Sequence, residues 1–389
     1  MKQNIDERRE TKDERTPVKM LGEVCYYPNQ RIAIDDLAVG EYVGVEHLVK
    51  NKGGLERSTQ MPDAENAIEF CVGDVLIGNI RPYLRKIWLA DFRGGASGDV
   101  VVIRVKKEFE NKIDPAYLYK VLSSELFFEY DNNNTKGAKM PRGDRKAIAK
   151  YLVPVPPLAE QQRIVAELDL LTGIIDKQNA QLKELDTLAQ SIFYDMFGDP
   201  IENPYGFVVK TVGETCVLKS GDSSANKSPE GSLPYVKVGD MNLPENTMMI
   251  TTSSTFVDRE YNKKAIFPIG TTIFPKRGGA IFTNKKRLTA VEICCDLNIM
   301  GVIPSSTLTP MFVFHFFQGI DFGKICNGAA IPQLNNCDIG PLKILEPPLA
   351  LQQSFADKIQ SIEKQKSAIK ASIADTQKLL DYTMDKYFG

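Results

Sequence analysis

The sequence predicts an α+β fold of two tandem globules, each followed by a long α-helix. The two helices are expected to pair as an antiparallel coiled coil with pseudo-two-fold symmetry. Three observations carry this. First, the 389-residue chain repeats itself. Val18-Lys19-Met20-Leu21-Gly22-Glu23-Val24-Cys25 aligns with Val209-Lys210-Thr211-Val212-Gly213-Glu214-Thr215-Cys216 at an offset of 191. Gly137–Pro141 with Gly328–Pro332, Pro156–Gln162 with Pro347–Gln353, and Met196-Phe197-Gly198 with Tyr387-Phe388-Gly389 keep that offset. Second, each copy ends in about 40 proline-free residues with apolar positions at heptad spacing. Third, the stretch before each consists of short β-like runs broken by Gly, Pro and Asn.

Composition narrows the class. Hydrophobic residues make up 43% of the chain, enough for packed cores and too many for wholesale disorder. The 48 basic and 50 acidic residues leave a net charge of −2, which excludes a uniformly basic coat but not local basic faces. No apolar run approaches the roughly 18 residues of a membrane span. Residues 1–16 carry five positive and five negative charges and no apolar stretch, so they read as a flexible charged leader, not a secretory signal. Seven cysteines without a CxxC, two of them adjacent at Cys294-Cys295, fit a reduced cytoplasmic protein. His47 and His315 lie near no cysteine pair, so no metal site is expected.

The elements follow in order. Residues 17–157 form the first globule, with strands expected at Val75–Ile80 and Val100–Val105 and a helix over Asp114–Tyr130. Pro156-Pro157 then presets an extended entry into a helix over 158–198. Its seam is Ile164, Leu168, Leu171, Ile175, Gln178, Leu182, Leu185, Ala189, Ile192 and Met196. Residues 199–206 are a linker. The second globule is 207–348, with strands at Tyr235–Val238 and Thr271–Phe274 and a helix at Thr309–Phe317. The second long helix, 349–389, repeats the seam with Phe355, Ile359, Ile362, Lys366, Ile369, Ile373, Thr376, Leu380, Thr383 and Tyr387. Each helix is about 60 Å long, and a stripe of that length is most simply buried by its twin. Gln178 and Lys366 either fix the seam register or reach solvent at its edge. Gly198 and Gly389 read as helix stops.

A search for catalysis finds no P-loop, GxGxxG, HExxH or GxSxG pattern, and two histidines leave few imidazole bases. Asn203-Pro204-Tyr205-Gly206 reads as a turn. Charge partitions unevenly: the first globule is net +1, the second +2, the first long helix −5 and the second +1. Within the globules, basic residues cluster in loops. Arg81, Arg85 and Lys86 surround Tyr83. Lys136, Lys139, Arg142, Arg145 and Lys146 share one short stretch. Lys276, Arg277, Lys285, Lys286 and Arg287 bracket Gly278-Gly279. Lys and Arg offset phosphate charge and Arg reads guanine edges, while Asn79, Asn284, Gln333 and Asn335 have the amide that reads adenine. These are the candidate DNA-binding residues. Solvated basic loops are the bland alternative.

The tandem Pro-Pro-Leu-x-x-Gln-Gln helix starts, the Gly-Asp-Val-Leu-Ile run at 73–77, the Gly-Ala-x-Met-Pro at 137–141 and the Gly-Glu openings together resemble the DNA-specificity subunit of type I restriction–modification systems. The resemblance covers nearly all of the chain after residue 16. It implies that each globule is a target-recognition domain reading half of a bipartite double-stranded DNA site. The paired helices would be a spacer that docks two methyltransferase subunits. Restriction subunits with translocase and nuclease activity would join in the cleaving form. It implies no active site and no cofactor on this chain, with S-adenosylmethionine and ATP/Mg on the partners. The second copy departs from the pattern, with Leu351 for Glu160 and Gly270-Thr271-Thr272 for Gly73-Asp74-Val75. Other readings are a recognition subunit serving a fused methyltransferase–nuclease, a coiled-coil scaffold that never touches DNA, and a standalone nuclease or methyltransferase, against which the absent cofactor motifs argue.

Overall fold

The computed structural model describes residues 16–137, 139–222, 230–260, 265–327 and 331–389. The charged leader, all but its last residue, lies outside the described residues. The chain divides into two compact units, 1–177 with 372–389, and 178–371. Each unit therefore holds one globule and half of each long helix, Leu158–Phe197 and Leu349–Phe388.

In the first unit an antiparallel sheet runs in the order Cys25–Tyr26, Val100–Val105, Val75–Gly78, Ile87–Leu89. A second sheet orders Arg31–Ala33, Asn66–Phe70, Gly94–Ala96, Tyr42–Val43. A ribbon pairs Val18–Met20 with Leu152–Pro154. The second unit repeats this plan. Its main sheet runs Cys216–Ser220, Ile299–Pro304, Thr272–Pro275, Arg287–Thr289, Met249–Ile250. Leu233–Val236 lies between Phe256–Val257 and Cys294–Cys295, and a ribbon pairs Val208–Thr211 with Lys343–Glu346. The Gly-Glu openings are one-turn helices in both copies, closed by Glu23 and Glu214 accepting from the Met20 and Thr211 N–H groups. All seven cysteines are free thiols. Among the described residues no helix is long and apolar enough to cross a membrane.

One expected helix is broken. Asp114–Tyr130 is two helices, Pro115–Leu122 and Glu125–Asn133. Ser123 and Ser124 turn the chain between them, and the Ser124 hydroxyl accepts from Phe127 N–H at 3.2 Å, starting the second helix. Asp74, read from the Gly-Asp-Val run, is buried and holds Arg104 in a two-pronged ion pair at 2.7–2.8 Å. By strand register its second-copy counterpart is Thr271, with Ile303 in place of Arg104. There Thr271 makes neutral hydrogen bonds, to Pro268 O at 2.7 Å and from its own N–H to Thr289 Oγ1 at 2.9 Å. An ion pair in one copy is thus replaced by hydroxyl–backbone hydrogen bonds in the other.

The helix seam is visible residue by residue. None of the heptad positions is exposed in either helix, whereas most residues between them are. In the first unit Ile164 and Leu168 pack with Leu380, Met384 and Phe388, and Arg163 donates to the Tyr387 hydroxyl, which donates to Glu167. In the second, Ala189, Phe193 and Phe197 pack with Phe355 and Ile359, and Lys366 crosses to Asp186 at 2.7 Å. Residue numbers rise on one helix as they fall on the other, so the helix segments are antiparallel within each unit. Lys366 meets both Asp186 and Glu363 with its side chain 12% exposed, which favours the register-setting reading over a solvated edge. Heptad spacing picked Ile192 and Met196, but the fully buried residues there are Phe193 and Phe197. They face the globule core, where Phe312 lies 4.8 Å from Phe197, because near its end the helix must cover a globule as well as its twin. Gly198 stops the helix with φ +76°.

At the start of each long helix the first glutamine of the Gln-Gln pair is fully buried. Gln161 accepts from Asp114 N–H at 2.9 Å and donates to Lys112 O at 2.7 Å and Pro156 O at 2.8 Å. Gln352 accepts from Thr309 N–H at 2.7 Å and donates to Thr307 O at 3.0 Å and Pro347 O at 2.8 Å. Phe197→Ala should destabilise the chain by about 3–5 kcal/mol through the cavity left among the rings of Phe193, Phe312 and Phe355. A urea-denaturation midpoint within error of wild type would contradict that packing.

Candidate nucleic-acid interface

In the first unit two loops converge. One leaves the strand Val75–Gly78 through Asn79–Lys86, and the other spans Lys136–Lys146. Backbone bonds join them: Arg81 N–H donates to Pro141 O at 2.8 Å and Gly143 N–H to Asn79 O at 3.0 Å, while Lys136 and Arg142 exchange bonds of 2.8 and 2.9 Å. Asn79, Arg81, Arg85, Lys86, Lys136, Lys139, Arg142, Arg145 and Lys146, distant in sequence, thereby share one loop pair. Arg81 and Arg85 adopt φ of +54° and +51° on either side of the single turn Pro82–Leu84, which leaves Tyr83 exposed.

Electrostatics separates these cations. Arg85 pairs with Glu125 at 2.6 Å, Lys136 with Asp144 at 2.7 Å and Arg142 with Asp99 at 3.1 Å. Arg145 donates to Gly98 O at 3.0 Å, and Lys86 to Val45 O at 2.6 Å, with burial lowering the Lys86 pKa. Arg81, Lys139 and Lys146 are exposed and meet no carboxylate among the described residues. They are the cations with most to gain from a phosphate, since surface pairs such as Lys136–Asp144 are worth little and exchange readily.

The second unit repeats the frame with other side chains. Gly278 N–H donates to Pro332 O at 2.8 Å, Leu334 N–H to Lys276 O at 2.9 Å, and Gln333 bridges Arg277 and Asn327. Gly278 at φ +73° stands where Arg81 does, and Asn284 at +53° where Arg85 does. Gln333 takes the place of Arg142. Arg277 is exposed, Lys276 donates to Ser220 Oγ at 2.8 Å, Lys285 donates to the Asn242 amide oxygen, and Arg287 donates to Asn246 O at 2.9 Å. Asn335 begins the short helix Asn336–Ile339, its N–H donating to Asp338 at 2.7 Å.

Lys286 corrects the expectation of a surface contact. It is 1% exposed, donates to Asn284 Oδ1 at 2.7 Å and Ile320 O at 2.6 Å, and lies 4.4 Å from the Phe322 ring centre. Burial lowers its pKa to about 8. Strand register gives the reason: Lys286 corresponds to buried Ile87, because alternate residues of Lys285-Lys286-Arg287 face opposite sides. Asn284, whose Oδ1 also accepts from Phe322 N–H at 3.0 Å, is likewise turned inward.

Sequence reasoning missed Asp131. It sits 1% exposed behind the two loops, and among the described residues neither carboxyl oxygen has a hydrogen-bond partner, nor does Asn79 Oδ1. Both side chains close on Gly143, where a Cβ would lie 2.6 Å from Asp131 Oδ1 and 3.0 Å from Asn79 Oδ1. Burial raises the Asp131 pKa to about 6. At offset 191 the second copy has Phe322 and Leu334 in place of Asp131 and Gly143, both fully buried. The repeat alignment therefore held the signal, a charge set against a phenyl ring.

Residues 18–186 and 204–376 each match the type I restriction modification DNA specificity domain. The chain belongs to that specificity family. Among relatives, the EcoDI specificity subunit of Escherichia coli is 32% identical over 133 residues, 33% of this chain and 29% of that protein. A putative type I specificity subunit of Haemophilus influenzae is 23% identical over 74% of each chain. The matched stretches thus span under a third of the EcoDI subunit and about three quarters of the Haemophilus one. Two solved structures share the fold. One, from work on complex assembly and conformational transition of the type I R-M system, has a TM-score of 0.62 at 20% identity over 97% of this chain and 98% of its own. The other, the S subunit from M. genitalium, has a TM-score of 0.53 at 13% identity over 97% and 98%. Two tandem specificity domains are thus the architecture of this family member.

Asp131 makes a sign-specific prediction for it. A carboxyl whose pKa is raised on folding supports stability at low pH, and that support is lost as pH rises from about 4 through about 6. Above that window Asp131→Asn should be more stable than wild type by about 2–3 kcal/mol, with the difference vanishing near pH 4. Denaturation midpoints across pH 4–7 would read this out, and parallel profiles would refute it.

Proposed function

We propose that this chain is the non-catalytic DNA-recognition subunit of a type I restriction–modification complex, reading a bipartite double-stranded target with one globule per half-site. The observation that carries this is the repeated loop frame. The same backbone bonds hold both loop edges, while the side chains on them change from Arg81 and Arg142 to Gly278 and Gln333. A constant scaffold with exchanged Arg and amide groups is what two readers of different base sequences require. The long helices act as spacer and as docking faces for two methyltransferase subunits, with restriction subunits joining for cleavage. S-adenosylmethionine and ATP/Mg are held by those partners. The complex works in the cytoplasm.

Co-expression with the neighbouring methyltransferase, followed by genome-wide mapping of methylated adenines, should give two half-sites at a constant gap. A contiguous motif would overturn the bipartite reading. Removing one heptad from both helices, about 10 Å, should shorten the gap by about three base pairs. An unchanged gap in that deletion would end the ruler role of the helices.

The loops divide by role. Lys139→Ala should weaken binding to all sequences and reduce the salt slope by about one. Arg81→Ala should instead relax one motif position, costing about 1–3 kcal/mol of discrimination. Lys286→Met should leave both unchanged. Affinity titrations between 50 and 200 mM salt on matched and singly substituted duplexes would separate the three.

A further inference from the structure

We infer that Gln161 and Gln352 are positioning residues that set the gap between half-sites, an inference that rests on the bipartite reading above. Each amide uses its oxygen and both of its N–H groups, and each does so inside the protein with no exposed surface. The three partners lie on two pieces of the unit, the helix's own proline entry and one loop of the globule that it grips at two points. In the first unit these are the proline exit before the helix, the loop at Lys112 and the first N–H of the Asp114 cap. The second unit repeats all three, with Pro347, Thr307 and Thr309.

A planar amide held at three points resists both tilt and rotation of the helix start against its globule. Apolar packing is non-directional and would tolerate a few degrees of either. Three hydrogen bonds with fixed donor and acceptor directions do not. The two copies differ at many neighbouring positions, including Leu351 against Glu160, yet both build the same lock. Along a helix about 60 Å long, a swing of ten degrees at the start moves the far end by about 10 Å, roughly three base-pair steps. A spacer of that length is a ruler only if its attachment is stiff, and the glutamines supply the stiffness.

The test uses the methyltransferase complex carrying Gln161→Met, Gln352→Met or both. Methionine keeps the length and loses all three hydrogen bonds. Adenine methylation is scored on duplexes whose half-sites are separated by the native gap and by one or two base pairs more or fewer. The expected result is unchanged half-site bases with methylation at off-gap duplexes rising about tenfold, more in the double variant. Methylation confined to the native gap at wild-type level would overturn the proposal. So would loss of soluble complex in both Gln161→Met and the alternative Gln161→Glu, because the residue would then be a folding determinant. Failure of the underlying reading looks different: wild type itself would show no gap preference.

Discussion

The buried glutamine at the start of each long helix is the joint on which the architecture turns. A helix of forty residues leaves a globule through two prolines, which fix its path but supply no N–H groups. The carbonyl of the first proline, a carbonyl of the neighbouring loop and the N–H of the residue capping the next helix are all satisfied by one buried amide side chain. An unmet polar group there would cost about 1–3 kcal/mol in a site with no access to water. The joint is therefore both tight and directional, and everything the helix does further along depends on the angle set at this point.

Beyond that joint, the two copies divide into parts that agree and parts that trade. Backbone features agree: the ribbons, the one-turn Gly-Glu helices, the loop bridges and the left-handed residues at matching places. Side-chain solutions trade. Asp74 with Arg104 gives way to Thr271, Arg81 to Gly278, and the buried pair Asp131 and Gly143 to Phe322 and Leu334. Each exchange changes charge, and at Asp131 the first copy leaves a buried carboxyl without a hydrogen-bond partner among the described residues where the second has apolar packing. Duplication with this freedom lets one chain carry two loop edges of different chemistry on one frame.

Electrostatics on those edges is more economical than a count of basic residues implies. Several cations are occupied by carboxylates of the same unit, and one, Lys286, is part of the core. The near-zero net charge of the chain is a matter of composition, 48 basic against 50 acidic residues, with the acidic excess on the first long helix.

The sequence by itself determined the duplication, the two long helices with their seams, the glutamine motif and the family. These are properties of spacing along the chain; the tertiary structure placed the repeat and the helices to within a few residues, and the family follows from the matched domains. Periodicity could not say which residue of a basic run faces inward, so Lys286 was misplaced. Nor could it say that Ser123 and Ser124 would break a helix, or that Phe193 and not Ile192 would be buried. Those outcomes were decided by strand register and by the globule pressing on the helix end. Asp131 and Asn79 meet at Gly143 only because two loops more than fifty residues apart are joined through the backbone. Local pattern reports what one segment prefers; burial and pairing depend on what another segment brings to it.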